Sequence, residues 1–177
     1  NSSGVVAADV TGVGTARGVL GASSYGGDKA IFGYGHTGSN VSMTNLVSNS
    51  GVVASDVTGV GTARYSLAAA SYGTDKAIFG YGYVSGAVSM TNLVNNSGVV
   101  SADVTGVGTA RYALAAASYG TDKAIFGYGT TGSVVSLTNL VSNSGVVATD
   151  TTGVGTARSD LAAASYGTDK AIFGYGY

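Results

Sequence analysis

TGVGTARYSLAAASYGTDKAIFGYG, residues 58–82, is the stretch on which the fold reading turns. Gly59 and Gly61 mark a loop that ends at Arg64. YSLAAASYG (65–73) follows, TDK forms a turn, and KAIFGYG (76–82) supplies a second apolar run. Three alanines favour helix by propensity, but the run is too short for a stable helix and is flanked by Tyr and Gly. The reading is strand, turn, strand. Downstream, YVSGA (83–87) reads as a turn, VSMTNLV (88–94) alternates as a half-buried strand does, and NNSG (95–98) closes the unit. Upstream, GVVASDV (51–57) is a short β-branched run. One unit therefore predicts four strands and four turns.

The unit recurs. TGVGTAR stands at 11–17, 58–64, 105–111 and 152–158, and DKAIFGYG at 28–35, 75–82, 122–129 and 169–176, each time 47 residues on. A fixed period of this length points to stacked repeats. Residues 1–177 read as a single repeat domain, with copies at 4–50, 51–97, 98–144 and an incomplete 145–177. The VSMTNLV segment is missing from the last copy. Three arrangements follow from that: a fragment of a longer array; a shortened last unit with GVVAADV (4–10) pairing directly on KAIFGYG; or an exposed edge that recruits a strand from another copy, giving a homo-oligomer or strand exchange.

Composition narrows the class. Glycine, 30 of 177, far exceeds the usual share of about 7%. Hydrophobic residues make up 45% and charged residues only 10%. A net charge of -1 without a basic run gives no footprint for nucleic acid. No stretch approaches the roughly 18 apolar residues of a membrane helix, so neither nucleic acid nor membrane is an expected partner. Cysteine is absent, which removes disulfides and thiolate chemistry.

The order T-A-R, small apolar run, turn, K-A-I-F-G-Y-G, then V-S-M-T-N-L-V resembles a kelch repeat, four times over and across nearly the whole chain. Gly-Tyr-Gly stands where that family carries paired glycines, and its usual Trp is missing. The resemblance implies an all-β, β-propeller-like array of four-stranded antiparallel blades, one blade per 47-residue repeat. It places Leu20, Ile31, Phe32 and Leu46, with their copies, between blades. Glycine- and tyrosine-rich arrays with DKAIFGYG segments are also similar to parts of marine bacteriophage tail or structural proteins. That likeness implies an extracellular or virion-associated setting.

Four near-copies fit poorly with an enzyme, whose active site is one asymmetric constellation. The expected function is a non-enzymatic module with a structural or adhesive role. A multivalent lectin with one site per repeat is the alternative, and a glycan hydrolase using Asp carboxylates in a central channel comes last. Asp9/Arg17, Asp56/Arg64, Asp103/Arg111 and Asp150/Arg158 each bracket a Gly-rich loop. Such a loop could offer oxygens to a cation or amides to an anion, but it lacks the acidic density of an EF-hand and the Lys of a P-loop. It reads instead as a structural loop in which Asp accepts backbone N–H bonds and Arg ties the chain down. His36 has no counterpart in the other copies and no Cys or Glu partner, so no metal, cofactor or catalytic residue is expected. Asn1, Asn40 and Asn95 begin sequons at unmatched positions of the repeat.

Variation between copies concentrates at two places. One reads Gly18, Tyr65, Tyr112, Ser159; the other begins at His36, Tyr83, Thr130, Tyr177 and runs through HTGSN, YVSGA and TTGSV. In an up-and-down unit both lie on one side. Tyr65, Tyr112, His36, Tyr83, Thr130 and Asn40 are therefore the candidate ligand-binding residues, for a glycan or a cell-surface protein. Relaxed constraint in solvent loops would give the same pattern.

Overall fold

The computed structural model describes residues 3–177, and among them the chain is all-β, without a helix. β1 (Gly21–Tyr25), β2 (Lys29–Gly33) and β3 (Thr44–Val47) form the first sheet. β4 (Ala68–Tyr72), β5 (Lys76–Gly80) and β6 (Thr91–Val94) form the second, and β7 (Ala115–Tyr119), β8 (Lys123–Gly127) and β9 (Thr138–Val141) the third. The fourth has only β10 (Ala162–Tyr166) and β11 (Lys170–Gly174). All pairing within the sheets is antiparallel and keeps one register, with Ala69 opposite Phe79 and Phe79 opposite Asn92 in the second sheet.

The alanine run is a strand because packing overrides helix propensity. Ala68, Ala70 and Tyr72 are buried while Ala69 and Ser71 alternate outward, half-buried. Small side chains let equivalent strands approach: β1 packs beside β4, β4 beside β7 and β7 beside β10. The Ser71 and Ser118 hydroxyls meet at 2.7 Å across one such junction.

The sheets are joined by one repeated device. Phe79 lies over the bare backbone of Gly33, where an added Cβ would come within 2.7 Å of the ring. Phe126 covers Gly80 and Phe173 covers Gly127 in the same way. Ile31, Ile78, Phe79 and Phe126 have no exposed surface, whereas Phe32 on the first sheet is 38% exposed and Ile172 on the last is 55% exposed. Burying such a ring stabilises by roughly 1.5–3 kcal/mol.

Three expectations are corrected. The sheets have two or three strands rather than four. The GVV segments form no strand, and residues 53–57 touch the edge of β3 only through bridges Val47↔Val53 and Thr44↔Val57. Three residues separate Val53 from Val57 but only two separate Thr44 from Val47. The edge is therefore bulged and a regular ladder cannot run. That segment also belongs to the following copy, so each of the three three-stranded sheets is edged by its successor. Second, the row of sheets is not a closed propeller, and the first and last sheets are not packed on each other. Third, residues 4–10 lie exposed and outside any strand, and they make no ladder with β11, so the shortened last unit is not formed.

Candidate functional site

The variable positions meet in space. Tyr34, Tyr81 and Tyr128 adopt φ of 63°, and the glycines after them φ of 110°, 110° and 99°. These left-handed residues end β2, β5 and β8 and turn the chain back. His36 then exchanges both backbone hydrogen bonds with Gly18, Tyr83 with Tyr65, and Thr130 with Tyr112. The two variable places in each copy are thus direct cross-strand partners.

Their rings form a row across three sheets. His36 and Tyr65 stand 5.3 Å apart, Tyr65 and Tyr83 5.5 Å, and Tyr83 and Tyr112 5.0 Å, with tilted or edge-to-face planes. All four are half-buried. Thr130 ends the row beside Tyr112. The Asn40 amide donates to the Val84 carbonyl at 3.1 Å, tying the first variable loop to the second. The His36 ring accepts the Gly38 N–H through Nδ1 at 3.2 Å. Asn1 lies outside the described residues.

The Asp and Arg residues form a separate set of clusters, in which the first three Arg each meet the Asp of the following copy. Arg17 lies 3.7 Å from Asp56, Arg64 4.0 Å from Asp103, and Arg111 3.8 Å from Asp150. Asp103 accepts from the Thr62 N–H and hydroxyl and from the Asn92 amide. Arg111 donates to the Tyr128 carbonyl, the Thr109 carbonyl and the Asn139 side chain. Burial pushes Asp103 and Asp150 upward, but the bonds from Thr and Asn outweigh it and hold both carboxyls below the usual range. Asp56 is lowered by its bonds from Thr15 and Asn45. With their oxygens occupied, these carboxylates serve as loop anchors. Asp9 lies exposed, and Arg158 stacks on Tyr128 at 4.6 Å without an Asp.

Asn45, Asn92 and Asn139 were missed at the sequence level. The signal was there: an Asn kept in all three TNLV strands, next to the apolar Leu-Val pair. Tyr34 and Tyr81 are fully buried packing residues. Each also lies under an Arg of the next copy, and burial raises each phenol to about 12.

The inner strands β1, β4, β7 and β10 line a shared groove of about 210 Å³. Its walls are Ala and Ser, among them Ser23, Ala70, Ser118 and Ala164, and no carboxylate faces it. Among the described residues no group of three His, Cys, Asp or Glu side chains could hold a metal ion. No protein-family model matches the chain, and no curated protein matches it either.

Proposed function

We propose that this chain is a non-enzymatic, kelch-like open propeller arc with a structural or adhesive role, carried on the outside of a cell or phage particle. In this reading it binds an extended glycan along the row His36, Tyr65, Tyr83, Tyr112. The observation that carries the proposal is that the row occupies the places where otherwise near-identical copies differ. A scaffold that repeats its core and varies its cross-strand aromatic pairs has separated building from recognition. The propeller geometry is supported by the four inner strands sharing one groove, as strands around an axis do.

The row favours one long ligand over one sugar per repeat. Gly18 and Ser159 interrupt the tyrosines at one position and Thr130 at the other, so the repeats do not offer equivalent sites. Tyrosine rings give apolar faces with polar tips, which suits sugar rings. The test is a glycan array and a cell-binding assay on the parent chain and on the triple variant Tyr65→Ala, Tyr83→Ala, Tyr112→Ala. A loss of roughly tenfold or more, equal to about 1.4 kcal/mol, with one ligand per chain by calorimetry, is expected. Binding that the triple variant leaves unchanged removes this face from consideration.

A further inference from the structure

We propose that Tyr83 and Tyr112 are the site of an oxidative cross-link, a dityrosine bond that staples the second sheet to the third. The inference stands whether or not a glycan lies along the row. Tyr83 and Tyr112 belong to successive copies, and their ring centroids stand 5.0 Å apart at an interplanar angle of 73°. Tyr65 meets Tyr83 from the other side at 5.5 Å. Among the described residues these are the only ring contacts between tyrosines; the other tyrosine contacts are with Phe or His.

Composition directs one-electron oxidation to this row. The chain has no Cys and no Trp, the side chains that would otherwise give up an electron or quench a tyrosyl radical. Met43 and Met90 take oxygen onto sulfur and form no bond between rings. Tyr34, Tyr81 and Tyr128 donate their hydroxyls to the carbonyls of Val60, Val107 and Val154. The hydroxyls of Tyr65, Tyr83 and Tyr112 carry no hydrogen bond within the described chain, and their oxygens reach solvent. A phenol sheds its proton as it loses its electron, so a hydroxyl open to water is the easier one to oxidise. Tyr166, Tyr175 and Tyr177 are more exposed but touch no second tyrosine.

The oxidant is hydrogen peroxide acting through a haem peroxidase. Each phenol loses one electron and one proton, which leaves a phenoxyl radical with spin on the ring carbons ortho to oxygen. The two radicals join through those carbons in one C–C bond. The hydrogen on each joined carbon then moves through solvent to its phenol oxygen, which restores both aromatic rings. The hydrogen atoms removed reduce one peroxide to two waters. Backbone bonds from Tyr83 to Tyr65 and from Tyr112 to Thr130 hold the two residues in place. Rotation of the rings about the soft χ2 angle brings their edges together. The bond forms at Tyr83–Tyr112 because it is the shorter contact, and because Tyr112 has no other ring beside it.

Peroxidase and peroxide, added to a dilute solution of the parent chain, should produce dityrosine fluorescence without added mass on a denaturing gel. Trypsin should then release residues 77–111 joined to 112–123, two hydrogens lighter than the separate peptides after allowance for oxygen on Met90. Fragmentation should place the bond on Tyr83 and Tyr112. Because a cross-link restricts the unfolded chain, the urea midpoint should rise on oxidation. Tyr83→Phe and Tyr112→Phe keep the rings, and each should lose the fluorescence, the joined peptide and the midpoint shift. Tyr65→Phe should retain all three. A parent chain that gives no dityrosine overturns the proposal, as does a bond mapped to another pair or found only between chains. So does a Tyr112→Phe chain that fluoresces as the parent does.

Discussion

Arg64 lies over the ring of Tyr34, its guanidinium carbon 4.4 Å from the centroid, although the two residues belong to different sheets. Its Nε donates to the Tyr81 carbonyl within its own sheet at 2.8 Å. One buried cation thereby fixes the end of β5 and clamps the neighbouring sheet. A desolvated cation–π contact is worth about 2 kcal/mol, and lysine would keep the charge while losing the planar fork. Arg111→Lys should destabilise the chain by about 2 kcal/mol in urea unfolding.

Tyr81 tests the other side of the same clamp. Tyr81→Phe removes one hydroxyl bond to Val107, so a loss of about 1 kcal/mol is expected. Tyr81→Ala also empties a fully buried site, for about 3–5 kcal/mol. Tyr175→Phe, at an exposed counterpart, should leave the unfolding of the monomer unchanged.

Alkaline stability follows from burial. Burial pushes the Tyr34 and Tyr81 phenols up to about 12 in the folded chain, against an ordinary 10. Above pH 10 the unfolded chain releases these protons first. Stability is therefore full below about pH 10 and falls as pH rises toward 12. Phenolate absorbance during alkaline titration should show a late step that coincides with loss of the β-sheet circular dichroism signal.

At acid pH the sign reverses. Bonds from Thr15 and Asn45 lower Asp56. For Asp103 and Asp150 burial raises the carboxyl, but the Thr and Asn bonds prevail and the net shift is downward. The unfolded chain takes up protons first, so stability is present above the ordinary carboxylate value of about 4 and is lost as pH falls through the lower folded values. Asp103→Asn should lower the melting temperature at neutral pH and flatten its fall between about pH 5 and 3. An acid limb as steep as the parent's would exclude Asp103 as a contributor.

The turn between β4 and β5 holds Thr74 at φ 71°, and Thr121 at φ 70° repeats it. The first copy carries Gly27 at this place, φ 80°. Left-handed backbone costs a non-glycine residue about 1–2 kcal/mol, and part of that relief is offset by glycine's extra freedom in the unfolded chain. Thr74→Gly and Thr121→Gly should each stabilise by up to about 1 kcal/mol, read as a rise in the urea midpoint. A fall would show that the threonine side chains hold the turn.

Sequence reasoning reached the strands that carry their own signal. The AAASY and KAIFG runs are paired strands, because short apolar segments between glycines have little else to do. It failed where the outcome depends on partners distant along the chain. GVVASDV has β-branched residues as good as those of any strand, yet one extra residue against Thr44–Val47 bulges it out of the ladder. Arg64 reads naturally with the Asp56 just before it, but the chain doubles back, and the Asp that reaches Arg64 is Asp103. For the candidate site, the variable positions were legible in the letters. Their cross-strand pairing came from the left-handed Tyr-Gly corners, which no periodicity encodes.

The Phe-on-Gly junction joins only adjacent copies and is the same at each step, from Gly33 and Phe79 to Gly127 and Phe173. A gene built this way tolerates unequal recombination. Losing or gaining one unit of 47 codons fuses a copy to a neighbour that already presents the right seat, knob and edge. Copy number can drift without passing through a misfolded ancestor, while single-codon changes at the Gly18–His36 positions alter the aromatic row without touching the junction. In evolutionary terms, the length of the array and the make-up of its aromatic row are separate characters of this gene.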